Sequence, residues 1–278
     1  MLAESLEGEV VEIVSGGVSD VGQVRTNNED SYQILSSLNL FVLSDGMGGE
    51  AHGEVASALA VETIVKYCTE DRIDAGATLI DGAEAHWSEK TKQLQRAVRQ
   101  ANFNIYESAR NNPAQRGMGA TVTAAWVNEG MLSVAHVGDS RAYLLRTGNL
   151  QQLTSDHSLV AEQVRRGIIT PQQAEESEMQ SVLLRALGAH EDVEVDVDEV
   201  GTYPGDVLLL CSDGLTRMVT EPEIAGALQA EVDPRSAAQK LVDLANENGG
   251  LDNVTVIVVR FQEESKSWLS WMKRGAKK

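Results

Sequence analysis

Apolar positions along this chain recur with two periods, one near two residues and one near three to four, and the two kinds of block follow no regular alternation. The run 40–43, LFVL, is apolar at four consecutive positions and reads as a strand buried on both faces. Ser44-Asp45 follow it, leading into a turn that Gly46, Gly48 and Gly49 permit. Upstream, 10–14 and 17–20 read as an opening strand or a hairpin about Ser15-Gly16, and a strand at 31–35 follows the polar loop Arg25-Thr26-Asn27-Asn28-Glu29-Asp30. Val55-Ala56, Leu59-Ala60 and Ile64-Val65 recur at helical spacing, which predicts a helix over 53–68 that opens beside Asp45. A loop over 71–81 precedes a second amphipathic helix within 84–110, marked by Trp87, Leu94, Val98, Ala101 and Ile105. Strands over 120–127, 131–137 and 141–146, joined by short turns, predict an antiparallel meander. The stretch 158–180 is polar and carries a helix start at Thr170-Pro171-Gln172-Gln173. Strands at 193–200, 207–210 and 255–261, with helices opening at Thr220 and Asp233, complete the chain. This order predicts the α+β class: two layers of mostly antiparallel strands with helices outside, rather than a doubly wound parallel sheet.

Composition changes that picture in one respect. Apolar (42%) and charged (23%) fractions are ordinary for a globular domain of 278 residues, but the formal net charge is −19. The last stretch, 266–278, carries five cations and no acid, so the rest of the chain is more acidic still. Such a body lacks the cationic surface that a phosphate backbone requires, which argues against nucleic-acid binding. An anionic substrate has to be drawn by metal ions or by single arginines. The opening MLAESLEGEVVE shows no basic-then-apolar leader, no run reaches the roughly 20 apolar residues of a membrane span, and Cys68 and Cys211 make no disulfide framework. A cytoplasmic location is the expectation.

Asp45, Asp139 and Asp213 each follow an apolar strand and Asp252 precedes one, each beside Gly or Asn. A single such aspartate is most often a turn former. Four of them at strand mouths predict convergence of negative charge on one site, which needs hard divalent cations with oxygen ligands, Mg²⁺ or Mn²⁺. His52, His86, His136, His157 and His190 show no paired ligand spacing, so zinc is not indicated.

The blocks RTNNED, SDGMGG, GMGATVTA, AHVGDSRAYLLR, LTSDHS, CSDGL and LDNVTVIVV stand in the order and approximate spacing of the metal-dependent PP2C-type protein serine/threonine phosphatases. From about 17 to 260 the chain resembles a bacterial member of that family. The resemblance implies a four-layer α-β-β-α sandwich, a catalytic domain over 1–262 with a flap at about 158–180, and a separate tail over 263–278. It implies hydrolysis of phosphoserine and phosphothreonine in phosphorylated proteins, opposing a cognate serine/threonine kinase, with two or three Mn²⁺ or Mg²⁺ ions. A pair of such ions activates a shared water and stabilises both oxygens of an in-line attack. Carried over by position, Asp45 resembles the catalytic aspartate that bridges two ions and the Gly46 carbonyl a ligand of one. Glu29 and Asp30 act near the same pair, partly through water. Asp213 and Asp252 resemble ligands of the other ion, and Asp139 with Asp213 matches a third, weaker site. Arg25 resembles the residue that grips the substrate phosphate, for which its planar fork is suited. Several relatives have a proton-donating histidine where this chain has Met47, and a thioether cannot donate a proton. His157 is a substitute candidate, although a packing or capping role is the better reading of it.

Two rival readings remain. Cys211 and Arg217, in CSDGLTR, have the Cys-x₅-Arg spacing of thiolate-dependent phosphatases, with Asp213 where phosphate would sit. A catalytically inactive relative that only binds phosphoproteins would show a lost metal carboxylate, and every expected one is present. In the tail, Trp268, Trp271 and Met272 share one helical face and Lys266, Lys273 and Lys277 another, which fits membrane contact, packing on the acidic body, or no fixed structure.

Overall fold

The computed structural model describes residues 11–48, 52–70 and 86–263; the expected loop over 71–81 and the chain from 264 onward lie outside them. The strands are β1 (Val11–Asp20), β2 (Asp30–Leu35), β3 (Leu40–Met47), β4 (Gly119–Ala120), β5 (Val122–Asn128), β6 (Met131–Val137), β7 (Arg141–Arg146), β8 (Asn149–Gln152), β9 (Asp196–Gly201), β10 (Val207–Cys211) and β11 (Val254–Glu263). The α-helices are α1 (Gly53–Thr69), α2 (Glu89–Asn111), α3 (Leu159–Arg165), α4 (Pro171–Glu175), α5 (Asp213–Thr216), α6 (Glu221–Ala230) and α7 (Pro234–Glu247). One sheet runs β1-β11-β10-β7-β8, the other β2-β3-β5-β6-β9 with β4 on β3, and neighbouring strands pair antiparallel.

Strand alternation sorts the apolar residues into three cores. Phe41 and Leu43 point into the space between the sheets, where they join Val134 from the same sheet and Leu208, Leu210 and Ile257 from the other. Leu40 and Val42 point the opposite way, onto Ala60 and Ile64 of α1 and Leu94 and Val98 of α2. On the far side, Leu209, Val256 and Val258 meet Ile224 and Leu228 of α6 and Leu241 of α7. A strand with helices on one face and a second sheet on the other has no polar side, which is why LFVL shows no alternation. The result is the four-layer α-β-β-α sandwich.

Helix starts follow their caps. Thr170 and Thr220 each form a complete capping box, with Gln173 and Glu223. The Asp233 carboxylate accepts from the Ser236 amide, and Ser88 accepts from Thr91 at the head of α2, which therefore begins at Glu89, after Trp87.

The structure decides one open expectation and corrects two others, for identifiable reasons. Of the strand or hairpin expected about Ser15-Gly16 the structure has the strand: β1 is continuous and pairs with β11 along its whole length. Gly16 is there for proximity, since a Cβ would stand 2.4 Å from the Arg235 amide nitrogen at the start of α7. The meander holds for β5 and β6 only; β7 crosses to the other sheet and pairs with β10 and β8. That crossing, through Gly138-Asp139-Ser140, carries Asp139 to the mouth between the sheets. The expected strand at 193–200 starts only at Asp196, and α3, α5 and β8 had no separate signal. The polar stretch 158–180 holds α3 and α4.

Candidate active site

The strand β3 does not turn at Asp45 but runs on through Gly46 to Met47, so the aspartate is held on extended, paired backbone. Its amide donates to Thr121 Oγ1 at 3.1 Å and its carbonyl accepts from the Thr121 amide at 2.8 Å. Ser44 Oγ donates to the Thr121 carbonyl at 2.6 Å, and Thr121 Oγ1 pairs with Ser140 Oγ at 2.7 Å, one residue past Asp139. Directly across β2 stands Asp30, the register partner of Asp45. Gly46 is a close-approach glycine: its amide donates to the Glu29 carbonyl at 3.0 Å, and a Cβ there would lie 2.1 Å from the Gly53 carbonyl oxygen at the head of α1.

The other sheet delivers its acids to the same place. Asp213 is the first residue of α5, two residues past β10, and Asp252 lies two residues before β11. Asn253 staples this edge to the Arg25–Glu29 loop, accepting from the Glu29 amide at 2.8 Å and donating to the carbonyls of Val21 and Asn27 at 3.0 and 2.9 Å. Ser212 Oγ donates to Asp30 Oδ2 at 2.8 Å, tying the first residue of β2 to the end of β10.

The electrostatics are those of acids forced together. Burial, then the charges of Asp30, Asp213, Asp139 and Asp252, hold the Asp45 carboxyl well above its ordinary value. Burial is also the largest cause for Asp30 and Asp139, each pushed up to about 7, with Asp213 adding to both. Asp213 is raised by burial, against an opposing pull from Arg217. Glu29 is raised by burial and by Glu54. Two arginines reach in. Arg25 Nη2 donates to Asp252 Oδ2 at 2.9 Å while half its side chain stays exposed, and Arg217 Nη2 lies 2.5 Å from Asp213 Oδ2. A cleft of about 540 Å³ opens beside the cluster, lined by Asp139, Asp213 and Arg217, by Ala174 and Glu175 of α4, and by Glu221 at the head of α6.

Among the described residues no three side chains of the metal-ligating kinds close into a ready-made ligand set. The donor chemistry nevertheless fits hard divalent ions. Every potential donor in the cluster is oxygen, and two buried carboxylate oxygens, Asp30 Oδ1 and Asp213 Oδ1, have no hydrogen-bond partner. An unpartnered buried oxygen on each side of Asp45 is costly without a cation.

Asp45, Asp30, Asp139, Asp213 and Asp252 thus gather at one end of the sandwich, with Gly46 buried beside Asp45 and Glu29 and Arg25 on the rim. His157 does not reach the cluster as an acid. Its Nδ1 accepts from the Gly138 amide at 3.0 Å, which leaves the proton on Nε2, directed at Asp196 Oδ2 3.1 Å away. It is a buried packing histidine that secures the crossing before Asp139. The thiolate reading fails on geometry: Cys211 lies in β10 with no exposed surface, and burial pushes its thiol up to about 12. Arg217 is turned toward Asp213, not toward a phosphate cradle. Thr121, Ser140, Ser212 and Asn253 escaped sequence reasoning, because a hydroxyl or amide that only braces an acid carries no spacing signal of its own.

Comparison with known proteins gives these features a family. Residues 22–246 match the family described as Protein phosphatase 2C. The serine/threonine protein phosphatase PstP of Mycobacterium tuberculosis is 40% identical over 240 residues, covering 86% of this chain and 43% of that protein, so the chain spans less than half of that relative. The serine/threonine phosphatase stp of Listeria innocua is 37% identical over 245 residues, covering 87% of this chain and 93% of that protein. The crystal structure of the PstP catalytic domain in complex with two manganese ions is similar at a TM-score of 0.78 and 36% identity, covering 91% of this chain and all of that one. A strand-end acid cluster in a four-layer sandwich and a match across most of the sequence together place this chain in the protein phosphatase 2C family.

Proposed function

We propose that the protein is a metal-dependent phosphatase of phosphoserine and phosphothreonine in proteins, working at the Asp45 cluster. The observation that carries this reading is the convergence of five aspartates from both sheets, with a buried carboxylate oxygen left unpartnered on either side of Asp45. The similar PstP domain with its two manganese ions supports the choice of metal.

In this reading Asp45 would hold divalent ions together with the acids on either side of it. The Gly46 carbonyl, Glu29 and Asp30 serve one side, and Asp213 and Asp252 the other. When bound, such ions activate water for attack on phosphorus and neutralise charge on the transferred group. The protein's own contribution is positional. The Thr121–Ser140 hydroxyl pair fixes the backbone of Asp45, Ser212 fixes one oxygen of Asp30, and Asn253 fixes the loop that carries Arg25 and Glu29. Arg25, at the exposed rim, offers its fork to two phosphoryl oxygens and so orients the ester.

The segment 158–180 belongs to the same domain in this proposal, as a flap over the cleft that selects substrates. No helix of the described residues is long and apolar enough to cross a membrane. Two unpaired, buried cysteines fit a cytoplasmic setting in which the enzyme opposes a serine/threonine kinase.

Hydrolysis of a phosphothreonine peptide, measured with and without Mn²⁺, chelator and a thiol alkylator, tests the proposal. Turnover abolished by chelator, restored by Mn²⁺ and untouched by alkylation is expected. Alkylator-sensitive turnover that survives chelation would return the chemistry to Cys211. A folded protein inactive under every condition would make it a phosphoprotein-binding relative.

A further inference from the structure

Asp139 and Asp213 are the carboxylates that the family resemblance assigns to a third, weaker metal ion, and in this chain a positive charge already stands between them. Arg217 is the residue immediately after α5, whose first residue is Asp213, and one helical turn brings its guanidinium back onto that residue. Nη2 lies 2.5 Å from Asp213 Oδ2 and 4.0 Å from Asp139 Oδ2, and Nη1 lies 3.8 Å from Asp252 Oδ2. The whole side chain is about three-quarters buried, and Asp139 and Asp213 are more buried still. A guanidinium in that position supplies positive charge to the carboxylates that a divalent ion would use.

Asp213 divides its two oxygens between the two demands. Oδ2 is taken by Arg217, while Oδ1 is buried without a partner. Asp213 is left with one unpartnered oxygen, which a metal shared with Asp45 and any ion on the Asp139 side would both need. The third site does not fit the residues present.

We propose that Arg217 is a resident cation standing in place of the third metal, so that this chain binds two divalent ions and Asp139 pairs with the guanidinium instead of ligating metal. The proposal rests on the two-metal reading of the Asp45 cluster. It is read by counting ions rather than by rate: Mn²⁺ binding to the chelator-stripped full chain, followed by calorimetry and by the electron paramagnetic resonance signal of free Mn²⁺. Wild type should take up two Mn²⁺ per chain. Arg217→Asn should take up a third, weaker ion, and the double variant Arg217→Asn/Asp139→Asn should return to two. Asp139→Asn alone should keep the count at two, where a three-metal protein would lose one, and this variant decides the matter even if Arg217→Asn does not fold. Three ions on the wild type, or an unchanged count of two on a folded Arg217→Asn, would overturn the proposal. Wild type that binds no Mn²⁺ and hydrolyses no phosphopeptide would instead remove the phosphatase reading itself, and this inference with it.

Discussion

Arg141 and Asp30 are charged residues shut into neighbouring parts of the molecule, and the chain treats them in opposite ways. Arg141, two residues after Asp139, donates from Nε to both oxygens of Asp156 at 2.9 and 3.1 Å, from Nη2 to Asp156 Oδ2 at 2.7 Å and from Nη1 to the Tyr143 hydroxyl at 2.8 Å. Gln152 adds a donor to Asp156 Oδ1 at 3.1 Å. Every charge there has its partner inside the protein. Asp30 on β2 faces Asp45 on β3, keeps one oxygen on Ser212, and leaves the other buried and unmatched, as Asp213 does. The first cluster is closed and makes structure. The second is open, and an open buried cluster of like charge is completed only by something from outside.

That contrast predicts which substitutions cost activity and which cost stability. If Asp45 holds two ions as proposed, Asp45→Asn should lower peptide turnover by at least about a thousandfold, roughly 4 kcal/mol of transition-state stabilisation, while circular dichroism shows a folded protein. Asp156→Ala breaks the closed cluster and strands a mostly buried guanidinium; denaturant unfolding should show a loss of about 3 kcal/mol. In that variant, Mn²⁺ affinity measured below the unfolding transition should hardly move. Arg25→Ala withdraws the fork from the rim and should reduce kcat/KM for phosphopeptides by roughly ten- to a hundredfold, again with Mn²⁺ binding retained. Smallest of all, Cys211→Ser should leave most turnover in place. Loss of activity there, with the fold intact, would mean that the thiol takes part in the chemistry.

The sequence made the open cluster visible and hid what closes around it. LFVL announces a doubly buried strand, and aspartates at four strand mouths announce a charged centre, because both signals are local. The caps at Thr170, Thr220 and Asp233 are local too, and all three helices start where those caps place them. The crossing of β7 to the other sheet depends on pairing with β10, some 65 residues further along, and short turns on either side of β6 could not reveal it. Gly16 left strand and turn both open because glycine serves both bending and close packing, and only the arrival of α7 decides between them. Arg217 was legible as half of a Cys-x₅-Arg spacing, but its burial among Asp139, Asp213 and Asp252 is a product of the tertiary fold.

The claim that the Asp45 cluster is incomplete without cations is tested most directly by thermal melting of chelated Asp30→Asn beside chelated wild type as a function of pH. The folded state holds the Asp30 carboxyl at about 7 against an ordinary value near 3.8, chiefly through burial, so it favours the protonated form. The stability that form supplies is complete below about pH 4 and is lost as pH rises through about 7. His136, held down to about 4 by burial, works in the opposite sense but is common to both proteins and cancels. The variant, which has no carboxylate to ionise there, should gain in Tm on wild type steadily from pH 4 to pH 7. Saturating Mn²⁺ should reverse the order at pH 7, because wild type then has its full ligand set. A difference that stays flat with pH, or a chelated wild type that is the more stable of the two at pH 7, would contradict the account.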